Sequence, residues 1–280
     1  MDTSNDKIGI TKPYIKTTVD VIVGVVAYRA GSYIIDEFMA NQKDIQRNHP
    51  SSALVFATNE SDFATELRKA LDQRVINGSV LYYETVRPHH ARSKFWNVAC
   101  GREAIRQYIL KETAAEYLQI FDSDMTYDSN VIDIMKKELR GYDIAYSGYA
   151  LRDFGIALAG TGCCMLTTEL LKAFQFRCLE FKNGTVITED TLLELDLMRL
   201  GMRIKKGFFI SINHYYDSLQ AKSVSPQHIG LYRRITHSAP VRRVLIRASI
   251  VLRHDVGWGL STIVFKACHF IKEIPFLRKN

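Results

Sequence analysis

Apolar positions along the chain fall into two alternating rhythms. Short β-branched or continuously apolar runs occupy residues 19–28, 53–57, 80–86 and 118–124, as in strands buried on both faces of a sheet. Between them, apolar residues recur at helical spacing, as with Phe63, Leu67 and Ala70 in the segment 61–73. Helices are likewise expected over 31–49, opened by Gly31 and Ser32 and followed by Pro50, and over 95–110. This order predicts an α/β domain built on an open, mostly parallel sheet flanked by crossover helices.

After residue 124 the rhythm loosens. A helix is expected over 130–139 and a strand over 143–149. The apolar stretch 156–159 meets a turn at Gly160, Thr161 and Gly162, and 163–166 reads as another strand. A short helix follows over 169–174. A further helix carries Leu193, Leu197 and Leu200 on its packed face and stops at Gly201, a residue type common just past helix ends. One last strand is predicted from 203 to 214. No internal repeat or low-complexity segment interrupts this order.

Composition leaves that picture intact. With 280 residues, 47% apolar and 24% charged, the chain has the make-up of an ordinary globular protein with a sizeable core. Its five cysteines show no CxxC spacing, which argues against a disulfide framework and a zinc cage and suits a reducing compartment. Residues 1–17 form a polar leader without an apolar signal core, and a cytoplasmic location is expected.

Charge does add something. The net charge is +7, yet residues 1–224 hold 27 basic and 28 acidic side chains, whereas residues 225–280 hold ten Lys/Arg against two acids. The chain therefore divides into a leader (1–17), an α/β domain (18–224) and a basic amphipathic helical tail (225–280). In the tail Val241, Val244, Leu245, Ala248, Val251 and Leu252 share a helical face, with Arg242, Arg243, Arg247 and Arg253 opposite. The apolar stretch 256–271 is broken by Lys266 and His269, too soon for a spanning helix of about 20 residues. Two readings stay open: helices lying in the lipid interface on the cytoplasmic face of a membrane, or helices packing on the domain or in a homo-oligomer. Nucleic acid is not an expected partner, because the aromatic and glycine signatures of an RNA module are missing.

Candidate chemistry begins where the fourth strand ends, at Asp122 and Asp124. Residues two apart on an extended backbone share a face, and the carboxyl edge of an α/β sheet is where ligands bind. Two converging carboxylates repel unless a positive charge lies between them, commonly a hard divalent cation that also touches substrate phosphates. The first strand is followed by Ala27, Tyr28 and Arg29, without the glycine patterns of dehydrogenases or P-loop kinases. Arg92 and Lys94 stand in a basic loop at a helix entry, either as phosphate neighbours or as a solvated loop. Glu189 and Asp190 precede a helix. They suit acid–base chemistry, or they merely favour a helix N-terminus, with Thr191 and Glu194 spaced as a capping box.

In order, the opening strand, the basic helix entry, Asp122-Ser123-Asp124, and Glu189-Asp190 ahead of a helix and a strand-end His214 resemble the GT-A glycosyltransferases. The likeness is closest to the inverting family 2 members and covers about residues 19–217. It implies metal-dependent transfer of a sugar, with inversion, from a nucleotide-diphosphate donor (a UDP- or GDP-sugar) to a hydroxyl acceptor, glycan or lipid-linked. It implies that Asp124 holds Mn²⁺ or Mg²⁺, that Asp122 lies near the metal and the donor ribose with Ser123 beside it, and that His214 completes the coordination. An imidazole ligand favours manganese; a plain strand-end cap is the other reading of His214. On the donor side the resemblance places Ala27, Tyr28, Arg29, Asn59, Arg92, Lys94 and Asn97. Asp190 becomes the base that takes the acceptor proton, with Glu189 supporting it. The glycines at 160 and 162 either let the backbone approach the acceptor or form a plain turn.

Two departures matter. The first strand lacks the family's proline-containing turn, and Thr58-Asn59-Glu60 stands where an acidic residue usually meets the nucleobase, so the nucleotide stays open. A nucleotidyltransferase is the enzyme rival, although a glycine-rich loop after the first strand is missing. A catalytically silent membrane-surface binding protein on the same scaffold is the rival from outside enzymology.

Overall fold

The computed structural model describes residues 19–150, 156–157, 160–217 and 220–224. The leader (1–17) and the basic tail (225–280) lie outside the described residues. The chain opens with β1 (Val21–Val26), a 3-10 turn (Arg29–Ile34), α1 (Ile35–Asn48), β2 (Ser52–Thr58), α2 (Ser61–Arg74), β3 (Gly78–Tyr82) and α3 (Phe95–Glu112). Then come β4 (Tyr117–Asp122), β5 (Met125–Tyr127), α4 (Val131–Leu139), β6 (Ile144–Ser147), β7 (Tyr149–Ala150) and β8 (Ile156–Ala157). The remainder is β9 (Cys163–Thr167), α5 (Thr168–Leu171), β10 (Leu179–Glu180), β11 (Val186–Ile187), α6 (Glu189–Arg199), β12 (Ile204–Gly207), β13 (Ile212–Tyr215) and β14 (Ala221–Val224).

Seven strands form the main sheet in the order β12-β6-β9-β4-β1-β2-β3. All run parallel except β9, which is antiparallel to both β4 and β6. The predicted open, mostly parallel sheet is what forms. Every residue of β2 is buried, and β1 is buried nearly throughout, because helices cover both faces. Val21, Val23 and Val25 point to one side and pack with Phe38 of α1, Leu67 of α2 and Met135 of α4. Ile22 points to the other and joins Ile105 and Ile109 of α3 with Leu193 and Leu197 of α6. Gly101 lets α3 come close to the sheet: a Cβ there would lie 2.8 Å from Val26 Cγ1 and 3.0 Å from Tyr83 Oη. The residue after it, Arg102, is thereby held against the carboxyl edge.

Several boundaries differ from expectation, each for a local reason. Residues 29–34 wind as a 3-10 turn before α1, with the Ser32 hydroxyl bonded back to the Arg29 carbonyl. The strand expected over 203–214 is two strands in two sheets. Between them the Phe209 N–H donates to Ser147 Oγ and the Ser211 N–H to the Asp128 carboxylate, so side chains take ladder donors and the chain turns. The second part, β13, pairs antiparallel with β5 and β14. Thr191 is not a cap, because α6 starts at Glu189 with Thr188 ahead of it. Glu194 is instead buried and ion-paired with Lys206.

Candidate active site

The carboxyl ends of β1 and β4, the start of α3, the turn before β9 and the start of α6 surround a cleft of about 510 Å³. Its lining includes Tyr28, Lys94, Asn97, Asp122, Ser123, Asp124, Glu189 and Asp190, eight of the residues singled out in the sequence. Five carboxylates (Glu60, Asp122, Asp124, Glu189 and Asp190) line it against two cations, Lys94 and Arg102. A larger cavity of about 680 Å³ lies elsewhere, near Arg106, Lys172 and Arg177. Those three cations are paired with Glu103, Glu169 and Asp196, and no group of acids converges there. The smaller cleft holds the chemistry.

Asp122 and Asp124 come together by a route other than strand alternation. β4 ends at Asp122, and Ser123 and Asp124 form the turn into β5. Close packing fixes Asp122: a Cβ on Gly162 would lie 2.6 Å from its Oδ2 and 2.8 Å from Tyr149 Cζ. A Cβ on Gly160 would lie 2.1 Å from the Tyr149 hydroxyl. Both glycines thus make room for side chains of the site itself, Tyr149 and Asp122, which accounts for their presence without an acceptor.

The sequence reading missed Arg102. Its Nη2 donates to Asp122 Oδ1 at 2.8 Å, and its Nη1 donates to Glu189 Oε1 and to the Thr161 hydroxyl. The guanidinium is buried, and its charge is retained because two carboxylates flank it. A faint signal for it exists. Ala99, Arg102, Arg106 and Ile109 fall on the buried stripe of α3, so two arginines stand where a surface helix keeps apolar residues.

Burial dominates the acids. It raises Asp122 above the ordinary aspartate value; Arg102 opposes the rise and the Asp124 charge adds to it. Burial also raises Glu189 to about 7, again opposed by Arg102 and reinforced by Asp190. Among the described residues Glu189 Oε2 is buried with no hydrogen-bond partner, so one contact with Arg102 does not reverse the effect. Asp190 sits at the first turn of α6. Its Oδ1 accepts from the Thr191 N–H at 2.7 Å and from the Thr188 hydroxyl. No described residue bonds its other oxygen.

His214 does not line the cleft but backs it. Its Nδ1 lies 2.6 Å from the Ala150 carbonyl, which can only accept, so Nδ1 carries the proton. Nε2 then faces Asp124 Oδ2 at 3.5 Å. A neutral ring would set a lone pair against a carboxylate there, so the pair calls for a positive charge, a proton or a cation. Burial disfavours the charged ring, yet the Asp124 hydrogen bond and charge outweigh it and lift His214 above its ordinary value. Among the described residues no three His, Cys, Asp or Glu side chains form a ready metal cage. Two carboxylates facing an open cleft are the hard-oxygen donors that Mn²⁺ or Mg²⁺ would use, with the His214 imidazole, oriented by a backbone carbonyl, behind them.

The remaining predicted donor residues are placed apart from the cleft or used as scaffold. Ala27 is buried beneath it. Arg29 turns outward to Glu66, and its N–H donates to Glu60. Asn59 donates to Thr85 Oγ1, which donates in turn to Asn97 Oδ1, tying the ends of β2 and α3 together. Arg92 donates to the His89 and Ala91 carbonyls. The N–H groups of Arg92 and Ser93 are taken by the Glu180 carboxylate at 2.9 and 3.0 Å, and Trp96 Nε1 joins them at 3.1 Å. That anion position ahead of α3 is thus filled by the chain itself. Lys94 remains on the cleft wall.

No family model and no curated protein matches the chain. Solved structures do match. TarS of S. aureus superposes with a TM-score of 0.51 and 13% identity, covering 85% of this chain and 44% of TarS, so the chain spans less than half of that protein. A shorter form, TarS 1-349 with UDP, gives 0.50 and 13% identity over 84% of this chain and 72% of that one. The mannosyltransferase PcManGT of Pyrobaculum calidifontis, with GDP-Man and Mn²⁺, gives 0.48 and 11% over 98% and 86%. The inositol-1-phosphate CTP transferase of T. maritima gives 0.47 and 11% over 82% and 98%. Identities this low establish architecture alone. The described chain has a GT-A type α/β fold, a mostly parallel seven-stranded sheet between helices with an acid-lined cleft at its carboxyl edge.

Proposed function

We propose that this protein is a metal-dependent glycosyltransferase that moves a sugar, with inversion, from a UDP- or GDP-sugar to a hydroxyl acceptor. The observation that carries the proposal is the meeting of Asp122, Asp124 and Asp190 in one cleft with an excess of carboxylates. The likeness of fold to TarS with UDP supports a nucleotide donor. On this reading Asp122, Asp124 and His214 would hold Mn²⁺ or Mg²⁺, and the ion would supply positive charge for a departing diphosphate. Lys94 on the cleft wall offsets the remaining phosphate charge. Asp190 accepts the acceptor hydroxyl proton through the oxygen that no described residue bonds, while helix contacts hold the other. Ser123, Tyr28 and Asn97 border the donor. The acceptor is a glycan or lipid-linked hydroxyl, and residues 225–280 bring the enzyme to the cytoplasmic membrane face.

The test is release of nucleoside diphosphate from a panel of nucleotide sugars with and without Mn²⁺. Asp124→Ala should abolish metal-dependent turnover while leaving the melting temperature near the wild-type value. Asp190→Asn should keep donor binding and lose transfer. Pyrophosphate released from a nucleoside triphosphate instead would support nucleotidyl transfer. No thermal shift with any nucleotide would leave a binding scaffold. For the tail, truncation at 225 should end sedimentation with anionic liposomes.

A further inference from the structure

Arg102 joins the two ends of the cleft. Its planar fork reaches Asp122, in the donor-side pair, through Nη2, and Glu189, next to the proposed base, through Nη1. Thr161, from the turn before β9, bonds the same Nη1. One side chain on α3 therefore ties down three segments 20, 59 and 87 residues away in sequence. Stability alone explains this poorly. A buried ion triad is often no more stable than apolar groups of equal volume, and here Arg102 Nε and Glu189 Oε2 are buried with no partner among the described residues. A network kept for stability would be saturated or absent.

We propose that Arg102 is a positioning residue: by holding Asp122 and Glu189 at fixed separation, it sets the distance between the donor-side carboxylates and Asp190. The inference rests on the transferase reading. It names a residue at the cleft wall whose role runs through its two carboxylates. Arginine suits the task because its two terminal nitrogens diverge in a rigid plane, whereas a lysine ammonium can serve both acids only by moving. Supporting residues of this kind typically change metal affinity or activity about 10- to 100-fold when replaced.

The experiment compares wild type, Arg102→Lys and the charge-balanced pair Arg102→Met with Glu189→Gln. Three quantities are read: melting temperature, Mn²⁺ dissociation constant from the free-Mn²⁺ electron paramagnetic resonance signal, and the split of kcat against donor KM. Arg102→Lys should stay folded, weaken Mn²⁺ about tenfold or more, and lower kcat more than it raises KM. The double variant removes Arg102 together with one of its two acids, so only Asp122 loses a cation; melting temperature shows whether it folds, and once folded it should show the same kinetic loss. If folded Arg102→Lys matches wild type in Mn²⁺ affinity and kcat, the positioning role is refuted while the transferase reading stands. If wild type itself binds neither Mn²⁺ nor any nucleotide sugar, the transferase reading falls and takes this role with it.

Discussion

Glu189 offers a test of which force governs the buried cluster. Its Oε1 meets Arg102, but Oε2 is buried with no partner among the described residues, and the group is raised from its ordinary 4.5 to about 7. A carboxyl whose folded value lies above its unfolded one contributes stability that is complete below about 4.5 and is lost as pH rises through about 7. At about 1.4 kcal/mol per pH unit, that difference amounts to roughly 3 kcal/mol. Glu189→Gln keeps the shape and cannot titrate. Urea denaturation of both proteins at about pH 5 and about pH 8 reads the term, because groups remote from Glu189 cancel in the comparison and only its neighbours Asp122 and Asp190 contribute with it. The variant should gain on wild type by roughly 2–3 kcal/mol between the two conditions, since a small part of the difference is already lost at about pH 5. Parallel pH profiles would refute the reasoning. A gain by wild type would show that attraction to Arg102 exceeds the cost of burial.

Two further substitutions probe the scaffold. Gly162→Ala sets a methyl against Asp122 Oδ2 and the Tyr149 ring, and overpacking of this kind costs about 1–3 kcal/mol in urea unfolding. Mn²⁺ affinity should fall with it, since the displaced atom is the Asp122 carboxylate. Glu194→Ala removes the buried carboxylate that partners the half-buried Lys206, and a loss of about 3 kcal/mol should appear as a lower denaturation midpoint. Glu194→Gln should retain part of that stability.

The strands of the sheet were legible because burial on two faces demands continuous apolar runs, and 19–28 and 53–57 are unmistakably that. Strand direction was not legible. Nothing in the composition of β9 says that it runs against β4, since antiparallel and parallel central strands are equally apolar. Asp122, Asp124 and Asp190 stood out as polar residues closing apolar segments or opening a helix. Arg102 did not, because a charge on a helix is ordinarily read as its solvated face. Its partners are revealed only when α3, β4 and α6 are brought together. The split of 203–214 was hidden for a related reason: Ser147 and Asp128, far earlier in the chain, supply the acceptors that turn it.

The pairing of β13 with β5 carries one more implication. His214 stands opposite Met125, one residue past Asp124, and Ile212 stands opposite Tyr127, so the imidazole is delivered to the aspartate by strand alignment. Side chains alternate between faces, so deleting a single residue inside either strand would swing His214 to the far side. Lengthening the chain anywhere between the two strands would leave their alignment untouched. Evolution or design can thus rebuild what lies between them while the imidazole–carboxylate contact is conserved by count alone.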